Sequence, residues 1–510
     1  MKLLSIDIGT THCKAGLFTE EGDAEKIVVL PNIKYYDRNG YPYYKPEQLW
    51  QTIVTCIKDV LIENKEVISA IGITGMAETG LLLDLKTGQP KTDFIPWFSK
   101  CAEKEAEMIC KEDDPFLRFC KTGLRSSYKY GLAKLLWLKK QDSSIFKDAI
   151  WLSAPDYIAY RITGTIKTDY TLAQRTFAFR IDQKVWDFEW LAHFGLPKEI
   201  FPEALPSGTK VGETNQEELI RLGIAFGTPV AISGHDHVCA SVAVGAINPG
   251  TVFNSIGTAE TLVGTLKERQ LGKKEFQSGL SFGCHVLKKR FFWIGGIQSS
   301  GGSVEWLRVL LSDVKLTYEQ VQRLSSSTRE GPTGILYYPY LAGAGAPLPD
   351  SAAKAAFIGL TASHKKEDIL KAVFEGISFE IESIRRAAEQ VIELPIRKMF
   401  VVGGGTKNRY WMQIKSDVTN CCLSIPPVSE ATLLGAAITA GIGCGIYKDE
   451  NEMVTILSQG ETTEIYPNQT FHQRYKTLYE CGYLQLQQAL RKFYHIQQTV
   501  FSTEKENLVK

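Results

Sequence analysis

Four side chains with metal-binding or acid–base chemistry lie within the stretch SGHDHVCAS: His235, Asp236, His237 and Cys239. Imidazole, thiolate and carboxylate groups can together bind a metal ion. Alternatively, one carboxylate on a turn can act as a general base while its neighbours line the pocket. Metal ligands at 235, 237 and 239 would have to converge from one short turn, and no second cluster completes a four-coordinate site. The spacing therefore favours the pocket over the metal site.

Three glycine turns have residue types that suit phosphate binding: DIGTT (7–11), SIGTAE (255–260) and GGGTKN (403–408). Glycine lets backbone N–H groups approach phosphate oxygens, and threonine hydroxyls add donors. Asp7 stands where a carboxylate could hold Mg²⁺ through water, beside those phosphates. No GxxxxGK[ST] motif and no N-terminal GxGxxG are present, which argues against a P-loop NTPase and an N-terminal dinucleotide fold.

The residues around these turns predict the elements that position them. KLLSIDIGTTHCKAGLF predicts a strand, a tight turn and a strand, and VFNSIGTAETLVG (252–264) repeats that pattern. Apolar spacing predicts a helix over PEQLWQTIVTCIKDVLIE (46–63), and VISAIGITGM (67–76) predicts a buried strand. Because AIGITGM resembles FVVGGGTK (400–407), we expect a duplicated α/β chain with a ligand in the cleft between its halves. The proposed domains are 1–247 and 248–510.

Composition limits the class of partner. The 510 residues are 44% hydrophobic, with 58 Lys and Arg against 57 Asp and Glu, so no basic nucleic-acid surface is expected. No apolar run reaches the length of a membrane span, and Asp7 interrupts the N-terminal one. Eleven cysteines without CxxC spacing favour free thiols in a reducing cytoplasm.

These motifs resemble the FGGY family of carbohydrate kinases over residues 1 to 490. The matching segments include SIDIGTTHCKAGLF, GITGMAETGLLLD, APDYIAYRITG, GHDHVCASVAVGAINPGTVFNSIGT, SSGGSVEWLR and VVGGGTKNRYWMQIKSDVT. The resemblance implies the duplicated actin-like, ribonuclease-H-like fold. It also implies ATP and Mg²⁺ as cofactors, a sugar or polyol as substrate, and a possible homodimer.

The resemblance also implies roles for single residues. Asp236 matches the general base, although an aspartate at this place could also cap a helix. Asp7 matches the metal-side carboxylate, and Glu78, Trp97 and, more loosely, Tyr128 match substrate contacts. The nucleotide-binding matches are Thr10, Thr11, Lys14, Gly257, Thr258, Gly301, Gly404 and Asn408.

The sequence departs from the family in one segment. The family pattern W-x-D-x-R becomes WFSKC, with Ser99 and Cys101 in place of a carboxylate and a guanidinium. Losing both removes charge-assisted hydrogen bonds near the substrate. Ala77 replaces the arginine of glycerol kinases, which makes glycerol a poor candidate.

The expected function is ATP-dependent phosphorylation of a hydroxyl on a small sugar or polyol, with a ketopentose such as xylulose or ribulose as the first candidate. A kinase of another polyol, such as a tetritol or glycerol, is the main alternative. A non-catalytic sugar sensor and another actin-fold ATPase are further alternatives, and intact Asp7 and Asp236 argue against the sensor.

Overall fold

The computed structural model describes residues 1–450, 452–453 and 461–508, and strands and helices alternate along it. The strands of the N-terminal half are β1 (Lys2–Ile8), β2 (His12–Thr19), β3 (Ala24–Pro31), β4 (Tyr35–Tyr36), β5 (Pro42–Tyr43), β6 (Ile68–Gly75), β7 (Gly80–Asp84), β8 (Ala149–Ser153), β9 (Thr168–Asp169), β10 (Phe179–Arg180), β11 (Val185–Trp186), β12 (Ala204–Leu205), β13 (Lys210–Glu213) and β14 (Pro229–His235). Its helices are α1 (Pro46–Leu61), α2 (Glu103–Ile109), α3 (Pro115–Thr122), α4 (Gly131–Gln141), α5 (Ala154–Thr163), α6 (Tyr170–Ala173), α7 (Phe188–His193), α8 (Glu217–Arg221) and α9 (Asp236–Ala243).

The C-terminal half contains a second series of strands and helices. The strands are β15 (Thr251–Ile256), β16 (Glu260–Lys267), β17 (Ser281–Cys284), β18 (Arg290–Ile297), β19 (Leu336–Tyr338), β20 (Ala356–Ile358), β21 (Lys398–Val402), β22 (Cys422–Ile425) and β23 (Thr463–Ile465). The helices are α10 (Lys273–Gln277), α11 (Gly301–Leu310), α12 (Tyr318–Ser326), α13 (Lys366–Ile392), α14 (Arg409–Thr419), α15 (Ala431–Gly443), α16 (Gln469–Leu478) and α17 (Leu484–Leu508).

Each half builds one large sheet, and the two sheets share a strand order. The first sheet runs β13-β14-β6-β1-β2-β3, and the second runs β17-β18-β16-β15-β21-β22-β23. In the first, β1 is antiparallel to β2 and parallel to β6, which is in turn parallel to β14. In the second, β15 is antiparallel to β16 and parallel to β21, which is parallel to β22. The predicted duplication is therefore confirmed.

The local predictions hold for the segments that carry the turns. The strand–turn–strand around Gly9 forms as the sequence predicts, and the helix predicted over 46–63 forms over Pro46–Leu61. On α1, Leu49, Ile53 and Ile57 are buried because their spacing puts them on the helix face that packs against β2 and β3.

One helix of the C-terminal half packs on the first sheet. Helix α15 lies against α9 and against β1, β6 and β14. Gly72 on β6 approaches so closely that a Cβ there would lie 2.4 Å from the carbonyl oxygen of Ala436. A helix of the C-terminal half is therefore part of the packing of the N-terminal sheet.

All eleven cysteines are free thiols. Within the described ranges, no helix has the length and apolar character needed to cross a membrane.

Candidate active site

Three carboxylates follow or end neighbouring parallel strands of the first sheet. Asp7 is the penultimate residue of β1, Glu78 comes three residues after β6, and Asp236 directly follows β14. The strand registers align Asp7 with Thr74 and Thr74 with Gly234. Because carboxyl ends of adjacent parallel strands meet at one sheet edge, the topology gathers these three acids there.

Asp236 has one oxygen engaged and one oxygen free. Its Oδ1 accepts a 2.6 Å hydrogen bond from the backbone N–H of His237 and lies 2.8 Å from Nδ1 of His235. Its Oδ2 makes no hydrogen bond to any described residue. Burial alone would raise the pKa of Asp236, but His237, His235 and the His237 N–H hold it well below its usual value. The side chain therefore presents an ionised carboxylate with a spare acceptor.

The neighbours of Asp236 have structural roles. His235, rather than Asp236, is the cap of α9, since its side chain accepts from the backbone N–H of His237. Cys239 is buried and donates from Sγ to the Ser233 carbonyl oxygen at 3.2 Å, so it belongs to the packing behind the turn. Across the described ranges, no three His, Cys, Asp or Glu side chains are grouped to hold a metal ion.

Hydrogen bonds from two other elements hold this turn from behind. The Thr74 hydroxyl donates to the Gly234 carbonyl oxygen at 2.6 Å. The backbone N–H of His235 donates to the Thr171 hydroxyl at 2.8 Å. These contacts fix the backbone from which Asp236 projects, which a base must have in order to meet one hydroxyl reproducibly.

Asp7 is buried and incompletely paired. Its Oδ1 has no hydrogen-bond partner, and the nearest cation is Nζ of Lys14, 3.9 Å from Oδ2. Burial raises the pKa of Asp7 to about 7; Lys14 opposes the shift, and Asp236 and Glu430 add to it. A buried carboxylate oxygen without a donor, beside two other acids, fits a position that a cation would stabilise.

The first glycine turn is tied to the aromatic residue of the predicted substrate pocket. Trp97 donates from Nε1 to the Thr10 hydroxyl at 3.0 Å, and the Tyr44 hydroxyl donates to the Thr10 carbonyl oxygen at 2.7 Å. Thr11 is exposed on the same turn. Trp97 is therefore anchored at the point where a phosphate would bind if DIGTT is a phosphate turn.

Lys14 connects the first turn to the C-terminal half. Its Nζ donates to Glu430, the residue before α15, at 2.6 Å. Burial lowers the pKa of Lys14, but Asp7 and Glu430 outweigh burial and raise it overall, so the side chain is a cation. It lies between the two acids, where it could also meet a phosphate.

The substrate side contains an ion pair that the sequence did not indicate. Glu78 accepts on Oε1 from Nε of Arg175 at 2.8 Å and also from Nη2 of the same guanidinium. Burial raises the pKa of Glu78, but Arg175 outweighs it and brings the pKa below its usual value. Arg175 lies in TLAQRTF, 97 residues from Glu78, and nothing local in the sequence signals this pairing.

Lys129, which the sequence did not single out, lies beside Trp97, whereas its neighbour Tyr128 lies near other charged residues. The ammonium of Lys129 lies 5.3 Å from the ring centroid of Trp97. Tyr128 is half-buried, and the charges that act on it are those of Lys100 and Glu103 rather than those of the site acids. The sequence does not distinguish these two neighbours, because the direction in which a loop side chain points depends on tertiary packing.

A buried lysine fastens the two substrate-side segments together. Lys134 on α4 is fully buried and donates from Nζ to the carbonyl oxygens of Glu78 at 2.5 Å and Ile95 at 3.1 Å. Burial lowers its pKa to about 7, opposed by Glu78. The lysine therefore fixes the backbone that carries Glu78 and the segment that leads into Trp97.

The second and third glycine turns lie side by side at the end of the other sheet. Gly257 and Thr258 follow β15 and are exposed, and the parallel neighbour β21 leads directly into the turn that contains Gly404. Gly404 is exposed with no other residue near its Cβ position, and Asn408 caps α14 by accepting from the Trp411 N–H at 3.1 Å. The structure thus brings these predicted nucleotide-side residues to one edge.

Helix α11 docks onto the second turn through Gly301. The backbone N–H of Gly301 donates to the Gly257 carbonyl oxygen at 3.1 Å, and a Cβ at Gly301 would lie 2.5 Å from that oxygen. Glycine is required here for this close approach. Behind the turn, fully buried Glu260 pairs with Lys415 and accepts from the Ser300 hydroxyl at 2.7 Å, which locks β16, α14 and the start of α11 together.

Comparison with known proteins identifies related chains along the whole length. Residues 2–243 match the model for the N-terminal domain of the FGGY family of carbohydrate kinases, and residues 252–444 match that for its C-terminal domain. The chain is 28% identical over 489 residues to the xylulose kinase of Bacillus subtilis, covering 94% of this chain and 95% of that protein. It is 29% identical over 465 residues to the glycerol kinase of Thermococcus kodakarensis, covering 89% and 90%.

A solved structure has the same fold. The ligand-bound xylulose kinase of Lactobacillus acidophilus superposes with a TM-score of 0.89 at 22% identity, covering 97% of this chain and 99% of that one. The predicted fold, two duplicated actin-like, ribonuclease-H-like domains of α/β class, is confirmed.

Proposed function

The chain belongs to the FGGY family of carbohydrate kinases, and on that premise we propose that it phosphorylates a hydroxyl of a ketopentose, such as xylulose or ribulose, with Asp236 as the general base. Members of this family transfer a phosphoryl group from ATP to a hydroxyl of a sugar or polyol. The proposal adds the residue that receives the proton and the class of sugar.

One observation carries the assignment of the base. Asp236 directly follows β14, is ionised, and has an Oδ2 without a hydrogen-bond partner among the described residues while no guanidinium is paired with it, whereas Glu78 is paired with Arg175. Phosphoryl transfer depends mainly on positioning and charge stabilisation, so a weakly basic carboxylate suffices if it orients the hydroxyl. Asp236 meets that requirement because its backbone and its other oxygen are both held.

The transfer step involves one hydroxyl, one phosphorus atom and one carboxylate. The substrate oxygen forms a bond to the γ-phosphorus as the bond from that phosphorus to the β,γ-bridging oxygen breaks, and ADP leaves with the electron pair. The hydroxyl proton passes to Oδ2 of Asp236 and then to solvent. A base of this kind contributes about 10² to 10⁴ in rate.

Asp7 is the residue proposed to hold Mg²⁺ on the nucleotide side. Its Oδ1 lacks a donor and its charge is raised in energy by neighbouring acids, which a divalent cation would relieve. Magnesium commonly binds through one or two carboxylates, water and substrate phosphates. When bound, it would neutralise charge on the phosphates, while Lys14 and the turn amides orient them.

The three glycine turns supply the proposed nucleotide site. Thr10 and Thr11 lie on the first turn with Lys14 beside them, and Gly257 and Thr258 lie on the second. Gly301, Gly404 and Asn408 complete the set of positions in the second half. Exposed backbone at Thr258 and Gly404 supports this assignment because phosphate and base contacts need uncovered N–H groups.

The proposed substrate contacts are Glu78, Trp97 and Tyr128, with Asp236 at the reacting hydroxyl. A ketopentose is supported by the likeness to a protein named xylulose kinase and by Ala77, which leaves no arginine where glycerol kinases carry one. Because pocket contacts discriminate by about 1–3 kcal/mol each, tetritols and glycerol belong in the same test.

The decisive experiment is a coupled assay of ADP release over a panel of ketoses, aldoses and polyols. A ketopentose should give the highest kcat/KM, and the phosphorylated sugar should appear in step with ADP. ADP release that does not depend on any sugar would contradict the proposal and indicate an ATPase. Binding of sugars without any phosphorylated product would indicate a sensor.

A further inference from the structure

A narrow cavity lies beside the ion pair of Glu78 and Arg175. Both members of the pair line it, and so do Asp156 on α5 and Thr168 on β9. It offers the centre of a water molecule about 10 Å³, which is room for one water. The cavity therefore connects the substrate side of the site with a helix that carries none of the proposed ligand contacts.

Two buried charged side chains on this cavity are incompletely paired. Arg175 donates from Nε and Nη2 to Oε1 of Glu78, but its Nη1 has no hydrogen-bond partner among the described residues. Asp156 accepts on Oδ2 from the backbone N–H of Ser153 at 3.0 Å, but its Oδ1 has no partner there either. A buried donor and a buried acceptor without partners are costly, and one water that bonds to both would satisfy them.

The free edge of Arg175 bears on how Glu78 is held. Burial lowers the pKa of Arg175, but Glu78 outweighs burial and the pKa is raised overall, so the side chain is a cation. Oε2 of Glu78 makes no hydrogen bond to any described residue, and this oxygen is available to a sugar hydroxyl. Because the guanidinium grips Oε1, any rotation of the guanidinium would also move Oε2.

Asp156 has the chemistry to hold that free edge. Burial raises the pKa of Asp156 to about 7, Ser153 and Thr168 oppose the shift, and the buried acid Asp169 adds to it. Above that pH the carboxylate is an anion, which is the partner that Nη1 of Arg175 lacks. A hydrogen bond to an ionised group is stronger than one between neutral groups, so the charge of Asp156 matters as well as its shape.

We propose that Asp156 is a positioning residue for the substrate: through one water in this cavity it holds Nη1 of Arg175, which keeps Glu78 in the orientation that meets the sugar. The inference rests on the proposed function, because it takes Glu78 to be a sugar contact. It extends the substrate site by one carboxylate that touches no substrate.

The first test is Asp156→Asn, which keeps an oxygen for the Ser153 N–H and removes the anion. We expect kcat/KM for the best sugar to fall by about 10- to 100-fold, as when a reacting group is slightly misplaced. KM for ATP should not change, because no proposed nucleotide contact is altered. Equal kcat/KM for the sugar in variant and wild type would overturn the inference.

Asp368→Asn is the matched control. Asp368 is the third residue of α13, as Asp156 is the third residue of α5, and it accepts from the Lys365 N–H at 2.9 Å in the same way. It does not line the cavity. This variant should leave both kinetic constants unchanged, so a loss equal to that of Asp156→Asn would show a general effect of helix capping and overturn the inference.

Two readouts separate positioning from a merely structural role. In a Glu78→Gln background, Asp156→Asn should cause little further loss, because both changes act through one contact; additive losses would count against the inference. The ratio of wild-type to Asp156→Asn kcat/KM should also approach one as the pH falls below about 7, because protonated Asp156 resembles asparagine. A ratio that does not vary with pH would contradict this role.

A high-resolution crystal structure of the wild type gives a test that does not depend on activity or on the folding of a variant. A water within hydrogen-bond distance of both Nη1 of Arg175 and Oδ1 of Asp156 would support the inference, and a cavity without that water would overturn it. Turnover of no sugar by the wild type would count instead against the proposed function, whatever the crystal structure shows.

Discussion

At the scale of single residues, the pKa values of the three acids in the site differ because their neighbours differ. Asp236 is ionised because two histidines and a backbone N–H favour its charge. Pairing with Arg175 keeps the pKa of Glu78 below its usual value, whereas burial raises the pKa of Asp7 to about 7. Carboxyl groups of almost equal intrinsic acidity thus acquire three different roles from their surroundings.

The first prediction concerns Asp236. Asp236→Asn should lower kcat by at least tenfold, and by about 10² to 10⁴ if the residue is the base, because an amide cannot accept the hydroxyl proton. ATP binding should persist, since no proposed nucleotide contact is altered. Single-turnover kinetics and a nucleotide-binding titration measure the two effects.

The control for that variant is Asp182→Asn, which removes an exposed carboxylate paired with Arg180. It should leave kcat within about twofold of wild type. An Asp236→Asn enzyme with more than a tenth of wild-type kcat would refute the assignment of the base.

At the scale of elements, helix packing determines where the strand-end turn sits. Helix α15 passes so close to α9 that a Cβ at Gly435 would lie 1.8 Å from the Cys239 carbonyl oxygen. Because α9 begins at Asp236, any displacement of α9 also displaces the proposed base. The small residues of α15 therefore have a functional consequence although they touch no predicted ligand.

The second prediction tests this contact. Gly435→Ala should lower the free energy of unfolding by about 1–3 kcal/mol, because the methyl group cannot fit without separating the helices. It should also reduce kcat, as α9 moves. Urea denaturation and steady-state kinetics provide the measurements.

Gly482→Ala is the matched control, since a Cβ there meets only ordinary contacts at 3.5 Å and beyond. That variant should be neutral or more stable by up to about 1 kcal/mol, as expected when alanine replaces glycine in a helix. Equal stability of the two variants would argue against tight α15–α9 packing.

The third prediction concerns a buried acid on α13. Glu375 is fully buried and accepts from the Thr333 hydroxyl at 2.6 Å and the Tyr475 hydroxyl at 3.0 Å. Burial raises its pKa to about 7, and these donors oppose the shift. Since the folded state then binds more protons than the unfolded state between pH 4.5 and 7, this group makes stability fall as pH rises through that window.

Glu375→Gln removes this titration. As the pH rises from 5 to 8, the free energy of unfolding of the variant minus that of wild type should increase by about 2–3 kcal/mol. This follows from the linkage of about 1.4 kcal/mol for each unit of pKa difference between the folded and unfolded states. Denaturant unfolding at both pH values measures the change. Glu319→Gln, on the exposed face of α12, is the control. A stability difference that does not vary with pH would refute the role given to Glu375.

At the scale of the whole molecule, the two sheets belong to different halves of the sequence, but several contacts join the two halves. Helix α15 covers part of the first sheet, Lys14 bonds to Glu430, and the Tyr447 hydroxyl donates to the Glu20 carbonyl oxygen at 2.9 Å. The proposed boundary between residues 247 and 248 is therefore a division of the sequence across which folding should be coupled.

The fourth prediction follows from that coupling. A fragment of residues 1–247 should fail to fold cooperatively, because removal of α15 exposes the apolar face that it covers on β6 and α9. Circular dichroism, dye binding and calorimetry of the fragment test this. Co-expression with residues 248–510 should restore a soluble complex with kinase activity. A 1–247 fragment that unfolds in one sharp transition would contradict the prediction.

The sequence predicted much of this architecture because the relevant signals are local. Alternating apolar residues around Gly9 and Gly257, and the helical spacing of α1, specify strands, turns and a helix within a few residues of each other. The repetition of one pattern in both halves predicted the duplication. The sequence also placed Asp7 in the first glycine turn and Asp236 on a turn; the parallel pairing of β1, β6 and β14 that brings them together comes from the structure.

By itself the sequence determined the main elements, the duplicated order and the candidate acids Asp7, Glu78 and Asp236. Only the tertiary structure decided which groups the charged side chains contact: Glu78 pairs with Arg175, Lys14 pairs with Glu430, and Lys129 lies over Trp97. Backbone conformation responds to neighbours within a few positions, whereas a side chain's electrostatic partner depends on which distant segment the folded chain brings beside it. The pairing of the charged side chains in the site therefore could not be predicted from the sequence alone.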